Sequence, residues 1–379
     1  MCSTHLVYQK PLNGNSVGVV FGSFAPLHRG HLEMIYRAKK ENEGGCIVVV
    51  CGCENDKGGA KLPFRLRYQY VREFFKDDDL VAVYGIDDGA LGFCDYAYEN
   101  WDAWLSEFYK IFVKAVDFPE YTTDHWYVGE KEYYDDLISL GKFCTLLDRS
   151  SLPISGTMIR GNPLKYWDYI ALPFRRVFSR NILIIGTASE GKSHLAMDLA
   201  KYFGTTYAHE WPRDYMEHYC IDDCDLDTET FVTFLQGQNR HIMEQVESSA
   251  NRGICFVDSD ANTTDMYAAH YGERKECTLA PENYLQFVYP LAQLYNQQLE
   301  WDRVFIIPPH GKFVDDHTRY MGDADIAQRE EMFADMKSMV DNNPQMQGRI
   351  EVLWGSYQEN FEDIKHYVNQ MYERCGIHV

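Results

Sequence analysis

The sequence predicts an α/β protein made of two parallel sheets in succession, and three observations lead there. Short β-branched runs alternate with amphipathic stretches, the pattern of strands layered with helices. That alternation breaks at Pro163–Arg180, where two prolines and the Arg175–Arg176 pair interrupt it, and it starts afresh at Asn181. A length of 379 residues suits two domains, each with its own core. The expected domains are 1–172 and 181–379.

The first series opens with a strand at Ser16–Gly22 that runs into a glycine turn. A helical pattern follows at Gly30–Lys40, then a strand at Cys46–Cys51, a helix near Phe64–Phe75 and a strand at Val81–Ile86. A long aromatic helix around Tyr98–Val113 and strands at Trp126–Val128 and Phe143–Leu147 complete it. The second series begins with the apolar run Asn181–Ile185 and a helix to Phe203. Strands recur at Thr205–Ala208, Ile254–Val257, Arg303–Ile307 and Ile350–Leu353.

Composition narrows the class. With 27 Tyr, 21 Phe and 7 Trp the chain has ample material for two cores. A net charge of −21 repels DNA, RNA and anionic membranes, so no nucleic-acid partner is expected. No run approaches the roughly 18 apolar residues of a membrane span, and the opening residues carry no apolar signal core. The expected location is the cytoplasm, without membrane insertion. The 11 cysteines are scattered and lack zinc-site spacing, which reads as reduced structural thiols.

Two loops carry chemistry. Gly186-Thr-Ala-Ser189-Glu-Gly191-Lys192-Ser193 satisfies G-x4-G-K-S/T between a buried strand and a helix. Such a loop curls its N–H groups around phosphate; Lys192 supplies a charge for the β- and γ-phosphates, and Ser193 a ligand for Mg²⁺. Asp258, ending the apolar strand Ile254–Val257, is the expected metal-orienting carboxylate, with Asp260 two residues on. Glu210 and Arg213, in His209–Tyr215, close another strand where kinases of small molecules place substrate groups, although Glu210 before Pro212 also reads as a helix cap. Arg319, in the polar Asp315–Gly322 segment ahead of the helix with Arg329, reads as a nucleotide-contacting residue or a solvated one.

The second loop is Gly22-Ser23-Phe24-Ala-Pro26-Leu-His28-Arg-Gly30-His31. His28 and His31 stand three apart at a helix start, so both face a phosphate lying there, and Gly30 removes a Cβ where that phosphate approaches. Two imidazoles can donate to phosphorus-bound oxygens gaining charge. Far along the same domain, Ile154-Ser155-Gly-Thr157-Met-Ile-Arg160 offers capping hydroxyls and a cation to the other side of a triphosphate. Lys57, Arg65 and Arg67 are further cationic candidates.

These two runs resemble the paired signatures of the nucleotidyltransferase superfamily, in particular nicotinamide mononucleotide adenylyltransferases. The Asn162–Ile170 stretch, the P-loop and His209–Tyr215 follow in the order of the bifunctional NadR-type proteins, and the likeness runs through nearly the whole chain. The resemblance implies a Rossmann-like nucleotidyltransferase domain followed by a P-loop ribosylnicotinamide kinase domain. The kinase would phosphorylate nicotinamide riboside from ATP, and the first domain would join the mononucleotide to AMP from a second ATP, giving NAD and pyrophosphate. His28, His31 and Arg160 would be catalytic, with Ser155 and Thr157 on the triphosphate. Lys192, Glu210 and Asp258 would serve the kinase, with Trp211, Arg213 and Asp260 at the riboside and Trp211 stacking on its ring. Some relatives carry a DNA-binding helix-turn-helix before the first strand; here that strand begins near Ser16, and no DNA binding is expected. Self-association stays open. The residues alone also admit another nucleotidyltransferase fused to another nucleoside kinase, or a nucleotide sensor with one degenerate domain.

Overall fold

The computed structural model describes residues 9–54, 61–92, 101–148, 153–222, 225–272, 280–310 and 326–377. The chain divides into two compact units, Met1–Val177 and Phe178–Val379.

In the first unit, five strands form one parallel sheet: β1 (Ser16–Gly22), β2 (Cys46–Gly52), β3 (Val81–Asp87), β4 (Thr123–Val128) and β5 (Phe143–Leu146), in the order β3-β2-β1-β4-β5. The connecting helices are α1 (Arg29–Glu41), α2 (Phe64–Phe74), α3 (Trp101–Ala115) and α4 (Lys131–Ser139), followed by α5 (Gly156–Gly161) and α6 (Leu172–Arg175). Cys46, Ile47, Val48, Val49 and Val50 are all fully buried, as expected for a strand covered on both faces. Val19, Val49, Phe108 and Trp126 centre the core on the α3 side. Strand order reverses between β1 and β4, the crevice where open α/β sheets hold ligands at their carboxyl ends. The first signature loop leaves β1 there.

The second unit repeats the scheme with β6 (Arg180–Gly186), β7 (Thr206–Ala208), β8 (Ile254–Val257), β9 (Arg303–Ile307) and β10 (Ile350–Val352), all parallel, in the order β10-β9-β6-β8-β7. Its helices are α7 (Lys192–Phe203), α8 (Trp211–Tyr219), α9 (Thr228–Glu247), α10 (Ala261–Gly272), α11 (Pro281–Asn283), α12 (Tyr289–Gln298), α13 (Ile326–Asn342) and α14 (Tyr357–Arg374). Leu183, Ile185, Val257, Val304 and Trp301 form the sheet core, and a separate aromatic cluster with Phe231, Phe234 and Tyr271 joins α8, α9 and α10. The central strand β6 again delivers the signature loop.

Ser155 caps α5, its hydroxyl accepting from Met158 N at 3.2 Å. Among the cysteines, Cys46, Cys51, Cys144, Cys220, Cys255 and Cys375 are free. Cys53 is disulfide-bonded, which corrects the expectation of reduced thiols throughout. Among the described residues no helix is long and apolar enough to cross a membrane.

Candidate functional sites

At the end of β1 the chain turns through Phe24, whose φ of 44° places it in the left-handed region with its ring fully buried. That ring meets His31 edge-on at 4.9 Å, and His31 stacks on His28 at 3.8 Å. The two imidazoles therefore form one layered pair at the start of α1, with His28 only 4% exposed. Gly30 has a role besides the expected phosphate approach: a Cβ there would lie 3.2 Å from the His28 ring and 3.4 Å from Ile154. The missing side chain makes room for the catalytic candidate itself.

The second signature is drawn onto the first. Arg160 Nη1 donates to Ala25 O at 2.5 Å and Nη2 to Thr157 Oγ1 at 3.1 Å. A Cβ on Gly156 would sit 2.9 Å from the same Ala25 oxygen, so this glycine permits the approach; it was missed as a site residue because a glycine after a capping serine looks generic. The Asn162–Ile170 stretch also belongs here. Ile170 bridges to His28, and Ala171 N donates to Leu27 O at 3.0 Å.

Arg67, offered as a phosphate ligand, is instead fully buried and donates to four carbonyls: Leu62, Ser23, Cys51 and Cys53, at 3.0, 2.7, 3.0 and 2.7 Å. Through the Ser23 carbonyl it fixes the loop's first turn on the ends of β1 and β2. A cavity of about 340 Å³ in this unit is lined by Lys10, Arg72 and Val81, at the opposite end of β3 from the loop. Lys57 and Arg319 lie outside the described residues.

In the second unit Gly186 adopts φ 159°, and a Cβ would strike Ile307 O at 2.4 Å, so only glycine lets the loop leave β6. Ser189 and Gly191 are left-handed (φ 67° and 73°), and Gly191 begins α7. Lys192 Nζ arches back over the loop to Thr187 O at 2.8 Å. Ser193 follows on the first turn of α7.

Asp258, 2% exposed, stands beside them, and its carboxylate oxygens have no hydrogen-bond partner among the described residues. Burial pushes its carboxyl up to about 7; Lys192 opposes this, Glu210 reinforces it, and Ser193 and Arg213 pull it down. Tyr207 on β7, not singled out from sequence, shares the cluster. Its phenol is pushed up by burial and by the charges of Asp258 and Glu210. Glu210 pairs with Arg213 at 3.5 Å, and both line a pocket with Phe231, Phe234, Tyr267 and Tyr271.

Two expected substrate groups are not among the residues lining that pocket. Trp211 is outside that lining; its indole lies over Gly237, where a Cβ would meet the ring at 2.2 Å. Asp260, 1% exposed, accepts from Asn262 Nδ2 at 2.7 Å and from Thr263 N and Oγ1 at 3.0 and 2.9 Å, which binds it into the start of α10. Gln238 was not foreseen. Fully buried on α9, it accepts from Trp211 N at 2.7 Å and donates to His209 O and Ser259 O at 3.1 Å each, tying the loops after β7 and β8 together. A glutamine on a helix gives no signal of such a role until the helix is placed.

A phosphate-type loop at the central strand of each of two parallel sheets defines a two-unit nucleotide-handling transferase. The comparisons agree unit by unit: residues 19–162 match the cytidylyltransferase-like family and residues 181–360 an AAA domain. The chain is 28% identical over 328 residues to the trifunctional NAD biosynthesis/regulator protein NadR of Escherichia coli K12, covering 82% of this chain and 73% of that one. The Salmonella typhimurium protein of the same name is 27% identical over 322 residues, with the same coverage. A crystal structure of NadR with NAD and AMP-PNP superposes with a TM-score of 0.79 at 28% identity, covering 98% of this chain and 99% of that one. Another, with NR, gives 0.78 at 27% identity over 94% and 97%. Over both units the chain is NadR-like.

Proposed function

We propose that this chain makes NAD in two steps, phosphorylating nicotinamide riboside in its second unit and adenylylating the mononucleotide in its first. The observation that carries this is the pair of signature loops, each on the central strand of its own sheet, in the NadR order. The NadR structures with NR and with NAD and AMP-PNP support the same substrates here.

In the second unit the P-loop amides and Lys192 hold the ATP phosphates. The pocket beside Glu210 accepts the riboside, and Glu210 orients its 5′-hydroxyl for attack on the γ-phosphorus, releasing ADP. Arg213 holds Glu210 in place. In the first unit the mononucleotide phosphate attacks the α-phosphorus of ATP. His28 and His31 donate to the oxygens that gain charge, and Arg160 balances the departing pyrophosphate.

The residues fit magnesium. Asp258 is buried, its oxygens without a hydrogen-bond partner among the described residues, and next to Ser193, the arrangement a cation shared with substrate phosphates uses. Ser193 and Asp258 would hold it, and it would offset phosphate charge. Soluble small-molecule substrates are consistent with a cytoplasmic enzyme, and among the described residues no helix is long and apolar enough to cross a membrane. The test is incubation of purified protein with nicotinamide riboside and Mg-ATP, with products identified by mass. Mononucleotide and NAD are expected; neither appearing refutes the reading.

A further inference from the structure

The P-loop carries a carboxylate inside its own bend. Glu190 directly precedes Gly191 and Lys192, so its backbone belongs to the stretch that wraps a triphosphate. An uncompensated negative charge there opposes a ligand that is itself strongly anionic.

The structure compensates it from outside the loop. Arg329 Nη1, on the first turn of α13, donates to Glu190 Oε1 at 2.9 Å, and His310 N donates to Oε2 at 3.1 Å. The Glu190 and Arg329 side chains are 5% and 2% exposed, so the pair is shielded from water and salt. His310 is fixed in turn by its Nε2, 3.0 Å from Trp354 O in the loop after β10. The bend of the P-loop is thus clamped to the segments following β9 and β10.

We infer that Arg329 is a positioning residue for the kinase's ATP: it cancels the Glu190 charge and holds the loop so that its amides receive the triphosphate. This rests on the kinase reading of the second unit. Because the pair is buried, Arg329→Met leaves the Glu190 carboxylate without its cation in a loop that receives an anionic ligand, and weakens ATP binding. Neutralising Glu190 in that background removes the offending charge.

The experiment is steady-state kinetics of riboside phosphorylation in the full chain, with adenylylation of supplied mononucleotide as the check on folding. Arg329→Met should raise the KM for ATP at least tenfold, with a smaller effect on kcat at saturating ATP and on the KM for riboside. Arg329→Lys keeps the charge and should stay within about threefold of wild type. The double variant Glu190→Gln/Arg329→Met should recover most of the loss, because the offending charge is gone. A double variant as poor as Arg329→Met means a merely structural clamp and overturns the inference. Should Arg329→Met fail to fold, Arg329→Gln set against Arg329→Lys makes the same comparison, and an ATP KM for Arg329→Gln that matches that of Arg329→Lys overturns it. If the wild-type chain phosphorylates no riboside, it is the functional reading that falls.

Discussion

Asp258→Asn should stabilise the second unit in the absence of nucleotide and magnesium, and the gain should depend on pH. The side chain is buried without a hydrogen-bond partner among the described residues, and burial lifts its carboxyl from 3.8 to about 7. At about 1.4 kcal/mol per pH unit, that difference of about 3 amounts to about 4 kcal/mol. Below pH 4 the folded and unfolded chains both hold the proton and no penalty arises. Between about 4 and 7 the unfolded chain releases its proton while the folded one retains it, so stability falls as pH rises. Above 7 the full penalty persists. Asparagine cannot ionise and escapes it. Hydrogen exchange of peptides covering β6 and β8, on the full chain without ligands, gives the opening free energy of this unit. The variant should exceed wild type by about 2 kcal/mol at pH 5 and about 4 kcal/mol at pH 8. The same assay should show the variant gaining less than wild type from added Mg-ATP. A gap of equal size at both pH values, or a less stable variant at pH 8, would refute the reasoning.

Other substitutions separate the two sites. Lys192→Ala should abolish riboside phosphorylation and spare adenylylation, while His31→Ala does the reverse, lowering adenylylation about 10²–10³-fold; either variant losing both activities while folded contradicts two sites. Gly30→Ala should cut adenylylation by about tenfold or more as its methyl displaces the His28 ring, 3.2 Å away, yet leave the melting temperature unchanged or higher, because alanine favours helix by up to about 1 kcal/mol. Full activity in that variant would show that the ring has room to yield. Glu210→Gln should lower phosphorylation turnover at saturating magnesium without changing ATP affinity, and normal turnover would remove Glu210 from the acceptor role. A fragment ending at residue 177 should melt well above one ending at 172, because Phe174 is fully buried against Tyr70 and Arg176 pairs with Glu73. Loss of a buried Phe alone costs about 3–5 kcal/mol. Equal melting would mean that Phe174 adds nothing to the first core.

The inner strands of both sheets were legible because parallel strands buried on both faces are written as unbroken apolar runs, such as Ile47–Val50 and Ile182–Ile185. Helix α4 left no such trace. Leu137 is its one fully buried residue, with Tyr133 and Tyr134 packed partly against the core, and nine residues are too few for that pattern to stand out. The site divides along the same line. Loop residues whose chemistry resides in a local motif, His28, His31, Gly186 and Lys192, were readable from spacing. Residues that act across the fold were not. Arg67 resembled a phosphate ligand until four carbonyls were found around it, and Gln238 resembled any helical glutamine. Trp211 was read as a riboside contact from its place beside Glu210 in sequence, and the structure adds that its ring rests against Gly237 on α9.

The proposed division of labour between the two carboxylates rests on their surroundings. A base must reach the acceptor, and Glu210 lines the pocket with Arg213 3.5 Å away. Asp258 lies outside that lining, and burial raises its carboxyl to about 7. A carboxylate that resists ionisation without a cation is well suited to binding one, because metal and ionised form stabilise each other. Lys192 and Ser193, which both act on the Asp258 carboxyl, would keep such a cation next to the phosphates. The strain in Asp258 is thus the counterpart of the Glu190–Arg329 pair: one charge of the phosphate site is left uncompensated for the ligand to complete, and the other is cancelled so that the ligand can enter.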